Sequence, residues 1–375
     1  MINKDNITVE NLDVTKHSEF KNHEKVFRVS APEYNFVAFV GVHSTVLGAA
    51  EGGIRYKPYD SEDDAITDVL RLSEGMTLKN AGAGLSAGGG KTVVMALDGE
   101  PKPSELVLQV LAEGLNRVNE KGVIYFGAQD MNISEENLNY MGDYTRYIKG
   151  ASSDDPQIVG GTPSPLTAIG VFEAMKQAVA EVYGAGRGFD GLRVSLQGIG
   201  SVGGALARLL DREGAVLTGC DIDDEAFAVL RAEGVIVRQV DLDEIYDQPA
   251  DIFAPNAIGG TISDETAQRL ANAGVLIVCG AANNQQKEQV GHKQSKKLQQ
   301  LGILYCPDFI VNAGGIIWVN QVGMNAETVR ERIRTHMPQS LKKIIQLHHK
   351  TGEDMGQAAE NYSLSVVRDA AEKAA

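Results

Sequence analysis

The sequence predicts an α/β protein of two domains, the first built on a mixed sheet and the second on a doubly wound parallel sheet. Three observations predict it. The chain has 375 residues, more than a single core usually encloses. Between residues 25 and 130, stretches of strand and helix periodicity follow one another with neighbouring strands that read as a pair. From Leu192 onward the pattern settles into strand, tight glycine turn, helix, strand, the order that parallel strands joined by crossover helices require. The expected division is residues 1–155 for the first domain and 156–329 for the second, with charged helices of 330–375 free to fold back on the first.

The elements follow in order. The first 25 or so residues are polar and aperiodic and read as an arm. "VFRVSAPEYNFVAFVGVHS" alternates apolar and polar residues, as paired strands with a turn near Pro32 would. "SEDDAITDVLRLSEGMTLKN" opens with Ser61 and Asp64 in capping-box spacing and sets Ala65, Val69, Leu72 and Met76 on one helical stripe. Lys79 is next on that stripe, where an ammonium must either snorkel out at the helix end or meet an anion inside. A glycine loop, the strand "TVVMAL", the helix "SELVLQVLAEGLNRV" and the strand "VIYFGAQDM", stopping at Asp130, complete the first domain. "GGTPSPLTAIGVFEAMKQAVAEVYG" is a loop feeding a helix, with Ser164 as its cap and Pro165 in its first turn. Then come "RVSLQ", "GIGSVG", "GALARLLDREG" and "AVLTGCDID", followed by three apolar strands in "ADIFAPN", "GVLIVCGAANN" and "GILYCPDFIVNAGG".

Composition narrows the function. A net charge of −15 disfavours nucleic acid and anionic membranes as partners, because phosphate binding needs clustered Lys and Arg. No apolar run approaches a membrane span, and the start lacks the apolar core of a signal peptide, so a cytoplasmic location is expected. Cys220, Cys279 and Cys306 lie in apolar stretches without CxxC spacing and read as reduced core residues. His348 and His349 are adjacent and would diverge by about 100° on a helix, so no metal site is expected.

Two glycine motifs compete for attention. "GAGLSAGGGKT" at 82–92 suggests a phosphate loop, but its glycine sits at 84 where the motif needs 85. A phosphate loop also follows a strand and opens a helix, whereas here a helix precedes and a strand follows. The second motif fits its context. Gly198, Gly200 and Gly203, enclosing Ser201 and Val202, form G-x-G-x-x-G between a buried strand and a helix. The next strand ends at Asp221, 18 positions after Gly203 (221 − 203), where a carboxylate can accept hydrogen bonds from the ribose hydroxyls of a dinucleotide. Ile222 follows as a further cofactor contact, and Asp223 and Asp224 would repel a 2′-phosphate, so NAD is expected rather than NADP.

Two lysines, a carboxylate and a dinucleotide fold suggest hydride chemistry at a carbon bearing nitrogen. The chain resembles the glutamate/leucine/phenylalanine/valine dehydrogenase superfamily in "LGAAEGGIRY", "EGMTLKNAGAGLSAGGGKTVV", "GAQDMN", "GTPSPLTAIGV", "QGIGSVG", "DIFAPNAIGG", "GAANNQ" and "PDFIVNAGG", in family order from about residue 47 to 320. The resemblance implies a substrate and oligomerisation domain before a Rossmann domain, and reversible conversion of an L-amino acid, NAD and water to 2-oxo acid, ammonium and NADH. It also implies a homo-oligomer. By motif, Lys79 would bind the substrate carboxylate, Lys91 would be the catalytic lysine and Asp130 its acid/base partner; Asn284 would bridge substrate and cofactor ribose, with Ser164 and Thr167 near the nicotinamide. The glycines 88–90 would let the backbone approach the amino acid. The chain departs from many members at Asn256, where they carry cysteine, and at Trp318, where they carry asparagine.

In the family, side-chain choice is set by the residue before the "GG" of the first motif, its neighbours and positions after "NAGG". Here that residue is Glu51, followed by Gly52, while Leu47, Met76, Ile316 and Val319 supply an apolar wall. A carboxylate there repels glutamate and aspartate, and the wall favours a large hydrophobic or aromatic side chain. Two orientations stay open: Glu51 facing the substrate and reading a basic or hydrogen-bond-donor side chain, or Glu51 turned away onto Arg55 or Lys57. A non-catalytic nucleotide sensor with the same fold is the rival of another class; it would have no use for Lys91 and Asp130.

Overall fold

The computed structural model describes every residue except 1, 98–99, 154, 289–290 and 375. The described chain forms two compact units, one of Met1–Thr162, Val319–Ala326 and Leu364–Ala375, the other of Pro163–Trp318 and Glu327–Ser363.

The first unit carries a mixed sheet of β1 (Thr8–Asn11), β2 (Lys25–Ala31), β3 (Phe36–Ser44), β4 (Ala50–Lys57), β5 (Gly88–Met95) and β6 (Tyr125–Ala128) in the order β1-β2-β3-β5-β4-β6. β1, β2, β3 and β5 pair antiparallel in succession, and β4 runs parallel to both β5 and β6. Its helices are α1 (Glu62–Gly82), α2 (Glu105–Val118) and α3 (Glu135–Gly142). The alternating stretch folds as expected, with Pro32–Tyr34 turning β2 into β3. The polar arm does not stay an arm: Thr8–Asn11 pairs with Phe27–Ser30, and Ile7 is fully buried. An edge strand with mostly exposed side chains leaves little apolar alternation to read.

α1 starts at the Ser61 cap, whose hydroxyl accepts from the Asp64 N–H. Its buried face is a correction to the expected stripe. Ala65, Val69, Leu70, Ser73, Thr77 and Asn80 are buried, whereas Leu72, Met76 and Lys79 are half-buried. Close approach decides the matter: a Cβ on Gly41 would lie 3.0 Å from Ser73 Oγ, and one on Gly89 would lie 2.0 Å from Thr77 Oγ1. Small residues face the sheet because larger ones have no room. The glycines 88–90 are likewise not a loop; they open β5. A Cβ on Gly88 would fall 1.9 Å from the Ser44 carbonyl oxygen, and one on Gly90 2.7 Å from the Tyr125 ring.

The second unit carries a wholly parallel sheet of β7 (Arg193–Gln197), β8 (Val216–Cys220), β9 (Val237–Gln239), β10 (Ile252–Pro255), β11 (Ile277–Val278) and β12 (Leu304–Tyr305) in the order β12-β11-β10-β7-β8-β9. The order reverses between β7 and β10, the switch point at which doubly wound sheets bind ligands. Its helices are α4 (Ser164–Tyr183), α5 (Ser201–Arg212), α6 (Asp224–Ala232), α7 (Asp264–Asn272) and α8 (Lys293–Gln300). Chain order then gives α9 (Asp308–Val311), α10 (Gly314–Asn320), α11 (Ala326–Thr351) and α12 (Met355–Ala374). The core packs Val194, Leu196, Phe253 and Ile277 of the strands against Leu206, Leu210, Leu341 and Ile344 of the helices.

Three details differ from expectation. β9 is a strand of half-buried and exposed residues that gave no apolar run. "FIVNAGG" runs through two short helices, ending at Val311 and restarting at Gly314, rather than a strand, since a short apolar run does not distinguish strand from buried helix. Ser164 is the first helical residue rather than the cap, which is Pro163 and makes no side-chain cap bond. Cys220, Cys279 and Cys306 are buried free thiols. Among the described helices none is long and apolar enough to cross a membrane.

Candidate active site

Register within the first unit builds the first constellation. β4 and β5 run parallel with Ile54 opposite Thr92, which sets Gly53 beside Lys91. A Cβ on Gly53 would lie 3.0 Å from Lys91 Nζ and 2.6 Å from the Asp130 Cβ, so only glycine leaves room for that pair. Lys91 is 5% exposed, and its Nζ stands 2.6 Å from Asp130 Oδ2. Arg55 Nε donates to the same oxygen at 3.2 Å. Behind it Arg55 Nη1 bonds Asp68 Oδ2 at 3.2 Å, and the Tyr59 hydroxyl donates to that oxygen at 2.6 Å. The result is a chain of alternating charge, Lys91–Asp130–Arg55–Asp68, ending on a phenol.

The charges are tuned by that arrangement. Burial, with a smaller contribution from Arg55, draws the Lys91 ammonium below its ordinary pKa even though Asp130 opposes the shift. Burial also works against the Asp130 carboxylate, but Lys91 and Arg55 together outweigh it and hold its pKa below the usual value. The pair therefore combines a readily neutralised amine with a firmly ionised carboxylate. Around it the backbone is pinned: Asn80 Nδ2 donates to the Gly88 carbonyl at 2.6 Å and the Tyr125 hydroxyl to the Gly52 carbonyl at 3.0 Å. A Cβ on Gly52 would fall 1.6 Å from the Gly90 carbonyl oxygen and 3.3 Å from Met76 Cγ. Met76 therefore faces Gly52, with half-buried Lys79 three residues further along α1 and half-buried Leu47 between β3 and β4.

Glu51 adopts neither of the pairings the sequence suggested. Arg55 and Lys57 are engaged with Asp68, and the buried Glu51 carboxylate receives Lys149 Nζ on Oε1 and Asn320 Nδ2 on Oε2. Lys149 and Asn320 carried no signal in the sequence, since "YIKG" and "WVNQ" show no motif or period that would mark them. Val319 is buried close to Gly150, where a Cβ would be 3.4 Å from Val319 Cγ1. Ile316 is half-buried and belongs to the second unit.

The second constellation is the glycine turn between β7 and α5. Gly198 has φ +88°, a conformation open to glycine and rarely to other residues. A Cβ on Gly203 would lie 2.0 Å from the Gly198 carbonyl oxygen, so helix and turn close only on glycine. Gly200 caps α5 without a side-chain bond, which leaves the N–H groups of the turn around Ser201 and Val202 unclaimed by any capping side chain. Asp221 follows β8, and its two carboxylate oxygens accept the Ile199 N–H at 2.7 Å and the Asp223 N–H at 3.0 Å. One lone pair of each oxygen thus holds the turn, and a second remains for a ligand. Ile222, beside it, is 89% exposed, far more than an apolar residue of this size ordinarily is.

Asn284 is an exposed residue at φ +54° whose N–H donates to Asp308 Oδ2 at 2.6 Å and whose carbonyl accepts the Gly260 N–H at 2.7 Å. Thr167 Oγ1 donates to the Pro163 carbonyl at 3.1 Å. Asn256 proves to be a strut: its Oδ1 accepts the Ala281 N–H at 3.0 Å and its Nδ2 donates to the Ala254 carbonyl at 2.9 Å. Trp318 is buried under the Arg330 guanidinium, 5.4 Å from the ring centroid.

The chain is similar to known proteins along most of its length. Residues 23–147 match the family profile described as Glu/Leu/Phe/Val dehydrogenase, dimerisation domain, and residues 234–374 the one described as glutamate/leucine/phenylalanine/valine dehydrogenase. The leucine dehydrogenase of Bacillus subtilis is 35% identical over 346 residues, 91% of this chain and 90% of its own. The phenylalanine dehydrogenase of Caldalkalibacillus thermarum is 37% identical over 355 residues, covering 92% and 91%. The crystal structure of L-tryptophan dehydrogenase from Nostoc punctiforme superposes with a TM-score of 0.79 at 31% identity, covering 94% of this chain and 97% of that one. A hetero-hexameric glutamate dehydrogenase from Thermus thermophilus shares the fold at a TM-score of 0.72 and 19% identity. Two profiles in order and relatives matched along nine-tenths of their length make this chain a member of the glutamate/leucine/phenylalanine/valine dehydrogenase family and an amino acid dehydrogenase.

Proposed function

We propose that this enzyme catalyses the reversible, NAD-dependent oxidative deamination of an L-amino acid with a large hydrophobic or aromatic side chain, releasing the 2-oxo acid and ammonium. The observation that carries the proposal is the buried Lys91–Asp130 contact at 2.6 Å, with Arg55 behind the carboxylate. NAD, when bound, would supply the two-electron acceptor for hydride from the substrate Cα. The chain's own residues do the rest. Lys79 pairs with the substrate carboxylate. Lys91, neutral, takes a proton from water as its oxygen adds to the substrate iminium carbon, and that proton passes from Lys91 through the Asp130 carboxylate to the nitrogen as the C–N bond breaks, which leaves Lys91 neutral again. Carbinolamine collapse returns the hydroxyl proton through the same pair, leaving ketone and ammonium.

The second unit suits the cofactor. The turn from Gly198 to Gly203, with Ser201 and Val202, would hold the pyrophosphate against the α5 N-terminus, and Asp221 would take the adenosine ribose hydroxyls. Ile222 offers an apolar face to adenine, while Ser164, Thr167 and Asn284 would hold the nicotinamide end. The acidic run Asp221, Asp223, Asp224 favours NAD over a 2′-phosphorylated cofactor. The relatives act on leucine, phenylalanine and tryptophan by name, and Leu47, Met76 and Val319 supply apolar surface of the matching kind. A basic side chain read directly by Glu51 is disfavoured, because that carboxylate already holds Lys149 and Asn320.

Lys91→Ala tests the assignment. Turnover should fall by about two to four orders of magnitude, the usual scale for a general base, while NADH binding measured by fluorescence is retained. A variant keeping more than about a tenth of wild-type turnover would remove Lys91 from the role of base.

A further inference from the structure

Beside the Lys91–Asp130 pair, a second buried ion pair occupies the same face of the sheet. Side chains alternate along a strand, so residues 51, 53 and 55 of β4 share one face. Gly53 fronts the Lys91–Asp130 pair, Arg55 lies beyond it toward the C-terminal end, and Glu51 lies about 7 Å toward the N-terminal end, two strand residues away. Arg55 closes its side, being tied to Asp130 and Asp68. An amino acid held with its nitrogen at Lys91 and Asp130 that extends its side chain along this face meets Glu51 at the end Arg55 leaves open.

What it meets there is a carboxylate already neutralised. Glu51 is 7% exposed; one oxygen receives Lys149 Nζ and the other Asn320 Nδ2. Lys149 Nζ also donates to the Asn320 carbonyl at 3.4 Å and stands 5.1 Å from the centroid of the Phe126 ring, the residue opposite Glu51 on β6. The three ammonium hydrogens therefore have three partners within the protein, a carboxylate, a carbonyl and a ring face. The cluster carries no net charge, and Val319 continues it as an apolar surface next to Gly150.

We propose that Lys149 is a specificity-determining residue: by neutralising Glu51 it turns the end of the side-chain subsite from a cation-binding carboxylate into an uncharged wall that admits large uncharged side chains and rejects charged ones of either sign. This rests on the reading of Lys91 and Asp130 as the reaction centre. It differs from a purely structural ion pair in one respect, that removing either partner unmasks the charge of the other toward the substrate.

Three variants read the switch through the ratios of kcat/KM for L-lysine, L-glutamate and L-leucine. Lys149→Met, leaving Glu51 without its cation, should raise the lysine-to-leucine ratio by about tenfold or more. Glu51→Leu, leaving Lys149 without its anion, should raise the glutamate-to-leucine ratio comparably. Glu51→Leu/Lys149→Met buries no lone charge and should return both ratios to near the wild-type values. Where turnover of a single variant is too low, calorimetric binding of the same three amino acids reads the same order. If either single variant fails to fold, the double variant still decides: it must fold and keep the preference for leucine over both charged substrates. Ratios unmoved in the single variants, or a double variant that accepts charged side chains, would overturn the proposal. A wild-type enzyme that forms no NADH with any uncharged amino acid would instead remove the reaction-centre reading beneath it.

Discussion

One oxygen of Asp130 serves two cations, and this sharing is the feature of the site with the clearest consequence for pH. Arg55 and Lys91 both contact Oδ2, so Arg55 stabilises the carboxylate and at the same time disfavours a charge on Lys91. In the proposed mechanism Lys91 serves as a base only when neutral. Replacing Arg55 by Met removes a positive neighbour, raises the pKa of Lys91, and moves the rising limb of the kcat/KM–pH profile to higher pH. Turnover near neutrality should drop by about ten- to a hundredfold as Asp130 loses its anchor. Arg55→Lys keeps the charge and should keep the limb in place; a limb that does not move in Arg55→Met would show that Arg55 has no electrostatic hold on the pair. Lys91 and Asp130, which the structure brings into contact, could be singled out in the sequence because each sits in a short motif. Arg55, Asp68 and Lys149 could not, because their roles depend on which strands and helices become neighbours, and nothing in local spacing states that.

At the scale of elements, glycines decide how closely α1 and the strands approach, and the sequence conveys their presence without their reason. The run 88–90 looked like a ligand loop and is instead the start of a strand packed too tightly for any side chain. Gly89→Ala would place its Cβ 2.0 Å from Thr77 Oγ1 and 2.2 Å from the Thr77 nitrogen. Because backbone atoms are involved, trimming Thr77 cannot relieve the clash, and the variant should lose about 1–3 kcal/mol or more in urea unfolding. Gly75, in the exposed interior of the same helix, meets nothing within 4 Å, so Gly75→Ala should stabilise by about 0.5–1 kcal/mol through helix propensity. Equal effects at the two positions would mean that packing is not what selects glycine on β5. The β2–β3 hairpin, α1, α2 and the β7–α5 turn were readable because each carries strong period or capping signals. β1, β9 and the α9–α10 helices were not, since edge strands bury little and a short apolar run fits either state.

For the whole molecule, the parallel six-stranded sheet with its glycine turn and the mixed sheet with its buried ion pairs belong to two compact units. The polar edge strand β1 and the match of residues 23–147 to a profile described as a dimerisation domain favour assembly into at least a homodimer. Sedimentation at micromolar concentration should show a particle of twice the chain mass or more, and a single-chain particle would contradict it. The enzymatic claim is tested most directly by following absorbance at 340 nm with NAD and a panel of L-amino acids at alkaline pH, with ammonium measured alongside. Leucine, phenylalanine or tryptophan should yield NADH and ammonium in equal amounts, faster than glutamate or lysine and faster than with a 2′-phosphorylated cofactor. No NADH across the whole panel, or NADH formed without ammonium, would contradict oxidative deamination at the Lys91–Asp130 pair.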